Sequence, residues 1–283
     1  MSVPEAIAAA VKGVLPLSPA ALQLIACMGA KEHSVSAAAR IVETDPALTI
    51  QVLRTVNSAA FGLRAPIESV SRAVSFLGDT AVLGIALGIS AGGLFKKQMD
   101  GYESARGELW AHSLRTAIGA RELAKFSADR VSPEIAYTAG MVHDIGKAVL
   151  SDWLAGRARD LVAEAQAGNK DFDSEEREHL KTDHAEVGAL LLTRWRLPVS
   201  LSSAVAFHHN PAQAPEDVKA LAYAVHLGDF LAMMGGTGTG ADSFLYTLDP
   251  GYDAFFAISP GDLEKTILTI EQEFRRTVEA IGD

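Results

Sequence analysis

The chain has 283 residues, 48% hydrophobic and 21% charged, with a formal net charge of −10 and a mean hydropathy of +0.15. That composition supplies a sizeable core and excludes intrinsic disorder. The acidic balance argues against a broad nucleic-acid-binding face, which needs clustered Lys and Arg, but leaves a small anionic substrate open if metal ions supply local positive charge.

Strand-like alternation is scarce, and apolar residues recur at three and four among abundant Ala, Leu, Glu and Arg, so the expected fold is all-α. A short amphipathic helix over Met1 to Val14 is broken by Leu15-Pro16-Leu17-Ser18-Pro19. Ser18 can cap the next helix, with Pro19 in its first position, and that helix runs to about Met28. Cys27, the single cysteine, reads as a small core residue, and the lack of a disulfide partner fits a reducing cytoplasm. Another helix is expected from Ser34 to Glu43. Asp45-Pro46 starts a further one, which ends near Asn57-Ser58. Asp45 reads as a cap, whereas Asn57 can cap a carbonyl or face a partner. Glu68 to Leu77 is predicted helical and stopped by Gly78, with Asp79 capping a buried helix from Thr80. The apolar stretch from about Ala81 to Phe95 is shorter than the ~20 residues of a membrane span and reads as a buried helix. No signal peptide and no membrane association are expected.

The polar break Lys96-Lys97-Gln98-Met99-Asp100-Gly101 predicts a boundary. Residues 1–98 then form an N-terminal helical subdomain without a cluster of candidate ligands. Residues 99–240 form a second helical subdomain, and residues 241–283 pack on it as a loop and a closing amphipathic helix. In the second subdomain one long helix from Glu103 to Phe126 carries His112. Ser132-Pro133 opens the helix that reaches His143-Asp144, and another is expected from about Ala148 to Ala167. Asp173 begins the next helix, and Asp183 caps the one holding His184, with Leu190, Leu191 and Trp195 on its apolar face. The following helix ends with His208-His209. Pro215-Glu216-Asp217 then starts the one with Asp229. The glycine-rich run Gly235 to Gly240 lacks the Gly-Lys-Ser/Thr of a phosphate loop and reads as a flexible loop.

In Met141-Val142-His143-Asp144-Ile145-Gly146-Lys147 an imidazole and a carboxylate stand side by side on an apolar helical face. Together they suit Zn, Mn, Fe or Ni better than Ca, which wants oxygen ligands only. The other reading is a hydrogen-bonded pair in a helical core. The remaining candidates decide between them. His112, His143-Asp144, His184, His208-His209 and Asp229 fall on successive helix-like segments, and chance is a poor explanation for the set. His33, His179 and His226 read as surface or packing histidines, with His226 one turn before Asp229 and able to support a ligand from behind.

The order His, His-Asp, His, His-His, Asp resembles the HD superfamily of metal-dependent phosphohydrolases, and the ligand set resembles its HD-GYP branch. Thr44-Asp45-Pro46-Ala47-Leu48-Thr49 together with Leu53-Arg54-Thr55-Val56-Asn57-Ser58-Ala59-Ala60-Phe61-Gly62 resembles the HDOD family, the HD-related output domains of bacterial signalling proteins. The resemblance runs from about Leu15 to about Met234. It implies an HD-like multi-helix bundle with an extra N-terminal helical subdomain, and one or two divalent transition-metal ions (Fe, Mn, Ni or Zn). One ion would take His112, His143, Asp144 and Asp229; the other would share Asp144 and take His184, His208 and His209. In such a site Asp144 bridges and Lys147 stabilises phosphate charge, although a surface lysine is an equal reading of Lys147. The Gly-Tyr-Pro segment of HD-GYP proteins is replaced by Asn210-Pro211-Ala212-Gln213-Ala214-Pro215. That departure puts cyclic di-GMP hydrolysis in doubt. The resulting expectation is a cytoplasmic signalling protein that keeps a metal site. It is either a phosphohydrolase or phosphodiesterase, or a non-catalytic module binding a partner or a nucleotide. The expected partners are signalling proteins, with the Asp45 to Gly62 stretch as a binding face, and a phosphate-containing small molecule; nucleic acid is not expected.

Overall fold

The computed structural model describes residues 2–30, 34–128, 130–238 and 240–281; His33 lies outside them. Four helices open the chain: α1 (Val3–Gly13), α2 (Pro19–Met28), α3 (Val35–Glu43) and α4 (Pro46–Val56). Each begins where a short polar side chain can satisfy the donors that a helix start leaves open. Ser2, Ser18, Ser34 and Asp45 all accept from backbone N–H groups of the first turn. Asn57 turns inward. Its amide donates to the carbonyls of Leu53 and Ile67 at 2.9 and 2.8 Å, and its oxygen accepts from Ile67 N at 2.7 Å. It therefore clamps the end of α4, the capping role expected of it.

Helix α5 (Val70–Leu77) begins at a Ser69 cap, two residues later than expected. Gly78, at φ +80°, takes the cap position of α6 (Asp79–Ser90), so Asp79 is the first helical residue and not the cap. The apolar run to Phe95 is not one buried helix. It breaks at Ala91 into α6 and the short α7 (Gly92–Phe95), and Ile89 is 41% exposed.

Two expected long helices are also interrupted, at Gly107 and Gly156, both in the left-handed region (φ +88° and +78°). The result is α8 (Glu108–Ala124), α9 (Pro133–Val142), α10 (Ile145–Leu154) and α11 (Ala158–Gly168). There follow α12 (Phe172–Leu180), α13 (His184–Arg194), α14 (Val199–Ala206), α15 (Glu216–Met234) and α16 (Pro260–Ile281). Leu191 and Trp195 of the α13 segment are buried as expected, but Leu190 faces solvent. Among the described residues there is no β-strand; one isolated antiparallel bridge joins Met99 and Ser104. No single described helix is long and apolar enough to cross a membrane.

The helix α8 is the axis of the bundle, packed on α9, α15 and α16, while α10 packs on α13 and α14 closes the ring between α13 and α15. Helices α8 and α9 touch backbone to backbone: a Cβ on Gly140 would lie 2.8 Å from Ala117 Cα. Buried apolar side chains form one continuous core from Ile7 to Ile270, which crosses residue 98 through the packing of α2 and α6 on α9.

Candidate metal centre

The bundle brings all seven predicted ligand residues together. His112 comes from the second turn of α8. His143 and Asp144 sit at the break between α9 and α10, His184 is the first residue of α13, and Asp229 lies on α15. His208 and His209 lie just past the end of α14, in the turn before Pro211, and not on the helix itself. None of the seven is more than 6% exposed.

The seven fall into two groups. Ligand atoms of His112, His143 and Asp229 lie within 4.8 Å of one another, as do those of Asp144, His184, His208 and His209. Asp144 lies between the groups. Its Oδ2 is 3.5 Å from His143 Nε2 and 3.8 Å from His112 Nε2. Its Oδ1 is 3.4 Å from His184 Nε2 and 3.7 Å from His208 Nε2. Helices α10 and α13 meet at Gly146, where a Cβ would lie 2.6 Å from Gly188 N and would overlap the His184 carbonyl. Glycine there is what allows the two groups to come this close.

The rings are aimed by their outer nitrogens. His112, His143 and His208 donate Nδ1–H to the carbonyls of Thr237, Gly140 and Val205 at 2.9, 2.8 and 2.7 Å. A carbonyl can only accept, so Nδ1 of each ring carries a proton and Nε2 is the atom that faces inward. His184 donates Nδ1–H to Glu176 at 2.7 Å. Glu176 also accepts from the His184 backbone N–H at 2.8 Å and from the Tyr102 hydroxyl. His143 Nε2, His208 Nε2 and Asp144 Oδ1 are buried with no hydrogen-bond partner. Each such atom costs about 1–3 kcal/mol unless something satisfies it. Three of them converging, with carboxylates on both sides, fit a divalent cation or a pair of them.

Charge is held tightly here. Burial alone would raise the Asp144 pKa, but the positive potential of His143 and Lys147, with His208 and His184, keeps it well below the usual carboxylate range. Asp229 behaves alike: burial raises it, and the hydrogen bond from His112, with the His143 ring nearby, more than reverses this. Burial also pulls His112 down, but its 2.9 Å hydrogen bond to Asp229 outweighs that and leaves the ring above its ordinary value. Burial drives His208 down to about 4 and His209 well below its ordinary value.

Lys147 is not a surface residue. Its ammonium is 2.8 Å from Asp144 Oδ2 and 2.6 Å from Asp242 Oδ2. Asp242, fully buried, also accepts from the Tyr246 hydroxyl at 2.7 Å, and the Tyr246 ring stacks on His209 with centroids 4.0 Å apart. Glu176, Thr237, Asp242 and Tyr246 were not foreseen from sequence. Two come from the run after Gly240, where no motif marks them. His226 is buried and fully engaged, with Nδ1–H donating to the His208 carbonyl at 2.7 Å and Nε2 accepting from Asp249 N at 2.9 Å. It supports the paired histidines from behind. His179 lies apart in a partly exposed cluster with Glu164 and Arg157.

The HDOD domain model matches residues 15–211 of the chain. An uncharacterized protein of Treponema pallidum is 31% identical over 183 residues, covering 64% of this chain. The chain spans about a third of that relative's length, 34%. A candidate signal transduction protein of Marinobacter aquaeolei superposes with a TM-score of 0.76 at 20% identity, over 98% of this chain and 60% of that one. A candidate phosphohydrolase of Shewanella amazonensis superposes with a TM-score of 0.68 at 23% identity, over 98% of both chains. At these identities the two structures establish a shared helical fold.

Proposed function

The chain belongs to the HDOD domain family, and from that premise we propose that it is a cytoplasmic bacterial signalling module built around one or two divalent transition-metal ions (Fe, Mn, Ni or Zn). The observation that carries the reading is the placement of Asp144, whose two oxygens face two separate histidine groups. His112, His143, Asp144 and Asp229 hold one ion; Asp144, His184, His208 and His209 hold the other. Five imidazoles and two carboxylates suit these metals better than Ca or Mg. Such ions, when bound, supply Lewis acidity toward a phosphoryl oxygen and lower the pKa of water. Glu176 fixes the ring of His184 and raises its basicity, in the way carboxylates behind metal-bound histidines do. Lys147 neutralises Asp144 and Asp242 within the core.

Signalling ranks ahead of hydrolysis because the site is closed. Every ligand side chain is buried, Tyr246 covers His209, and the Lys147 ammonium is engaged by two carboxylates. Hydrolysis of a phosphoester is the second reading, favoured by the bridging position of Asp144. A signalling protein is the proposed partner. Elemental analysis of freshly purified wild type and Asp144→Ala, with a panel of phosphoesters and cyclic dinucleotides, tests both readings. We expect one or two metal ions per wild-type chain and far fewer in the variant. Equal metal content in the two overturns the assignment, and metal-dependent turnover that Asp144→Ala abolishes moves the conclusion to the second reading.

A further inference from the structure

A groove of about 760 Å³ lies between α4, α6, α7 and the start of α8, apart from the metal centre. Its volume falls within the range of about 300–1,000 Å³ typical of small-molecule sites. We propose that this groove binds a nucleotide, its phosphate held by Arg54, Lys96 and Arg106 and its base lying against Trp110.

The charge pattern is the first argument. No Asp or Glu lines the groove, whereas three cations do. The chain carries 35 acidic against 25 basic residues. Several basic side chains near this core are paired with carboxylates, as Arg115 is with Glu271, Arg121 with Glu273 and Lys97 with Asp152. Among the described residues Arg54, Lys96 and Arg106 have no such partner. Three cations around one concavity with no carboxylate in its lining focus a positive potential there, and Arg in particular matches the geometry of a phosphate.

The floor is the second argument. Gly88 on α6 and Gly92 and Gly93 on α7 line the groove, and a helical glycine costs up to about 1 kcal/mol relative to alanine. Packing within the chain does not call for them. A Cβ on Gly92 or Gly93 would meet nothing within 4 Å, and on Gly88 only Trp110 Nε1 at an ordinary 3.9 Å. Gly84 differs, since a Cβ there would lie 2.8 Å from the Tyr137 hydroxyl. The space above Gly88, Gly92 and Gly93 is therefore kept open toward the groove. Trp110 supplies an apolar wall with an N–H donor at its edge, the combination that holds a flat heterocycle. An acidic helix of a partner protein would meet the same charges, but three cations at one wall and a volume of this size fit a compact phosphate ester better.

This proposal gives the regulatory reading of the chain its small-molecule input, and it is testable apart from the metal. Wild type, the double variant Lys96→Glu/Arg106→Glu, Gly92→Leu and Asp144→Ala are titrated calorimetrically with ATP, GTP, GMP and cyclic di-GMP. Inorganic phosphate and a poly-glutamate peptide are run in parallel. At least one nucleotide is expected to bind wild type at least tenfold more tightly than phosphate does. That affinity should fall at least tenfold in the double variant and in Gly92→Leu, at unchanged melting temperature and metal content, and persist in Asp144→Ala. Three results overturn the proposal: no nucleotide binding at millimolar concentration, binding lost in Asp144→Ala but kept in the groove variants, or tight binding of the peptide alone. Failure of the metal assignment shows instead in the metal content of Asp144→Ala, whatever the groove does.

Discussion

Replacing Gly146 with alanine adds one methyl group at the point where α10 and α13 touch. The new Cβ would lie 2.6 Å from Gly188 N and 2.9 Å from His184 C, and closer still to the His184 carbonyl oxygen. All three are backbone atoms, so no side chain can swing away. Ordinary contact at about 3.5 Å requires the helices to part by roughly 1 Å. Overpacking of this kind costs about 1–3 kcal/mol, and alanine's better helix propensity returns at most about 1 kcal/mol. At about 2–4 °C per kcal/mol, the melting temperature should fall by several degrees. The same parting moves His184 away from Asp144 Oδ1, now 3.4 Å apart, so metal content should fall as well. Gly13→Ala is the control, because a Cβ there meets nothing within 4 Å; it should be neutral or slightly stabilising. Scanning calorimetry with and without chelator, beside elemental analysis, reads both effects. A Gly146→Ala protein with wild-type melting temperature and metal content refutes the claim that this contact sets the spacing of the site.

Lys147→Ala strands Asp144 and Asp242 in the core and should cost about 3–5 kcal/mol in urea unfolding while metal content is retained; an unchanged unfolding midpoint shows that Lys147 is not what neutralises them. Glu176→Gln keeps a hydrogen-bonding group behind His184 but removes its charge, and metal affinity by competition with a chelating dye should weaken about 10–100-fold. In metal-free protein, burial pulls His184 down but the charge and hydrogen bond of Glu176 outweigh it and hold the ring at about 9. Its stabilisation is complete below the unfolded value of about 6.5 and is lost as pH rises through about 9. His208, driven by burial to about 4, contributes fully above about 6.5 and loses that contribution as pH falls through about 4. Chelated protein should therefore be most stable near neutrality, and a steady gain in urea midpoint from pH 7 to 9 contradicts this.

The seven ligand residues were legible because each chemically distinctive side chain falls on a clearly periodic helix or just beyond its end, and the HD pattern orders them. Their supports were not. Glu176 sits eight residues before His184 on a charged helix where any carboxylate reads as solvated, yet it is fully buried. Thr237 contributes only its carbonyl, which no sequence displays. Asp242 and Tyr246 lie in a run without periodicity, and only tertiary folding carries them onto Lys147 and His209. Helix ends failed for a local reason. Gly107 and Gly156 adopt left-handed backbone angles, but a glycine inside an apolar pattern reads equally well as a tolerated interior residue. Asp45 was legible as a cap because Pro46 stands beside it. Asn57 had no such neighbour, and its bond to Ile67 spans ten positions.

Asp229, Thr237, Asp242 and Tyr246 all follow residue 211, and this constrains how the module can be shuffled between genes. A recombination breakpoint placed there would deliver His112 without its carbonyl acceptor, Lys147 without one of its two carboxylates, and His209 without the ring stacked on it. The recipient protein would inherit a cavity of exposed imidazoles with an unbalanced ammonium beside it. Fusions that keep this centre therefore have to carry the chain through at least Tyr246, and lineages in which the segment after α15 is lost or rewritten are where the histidines should decay first.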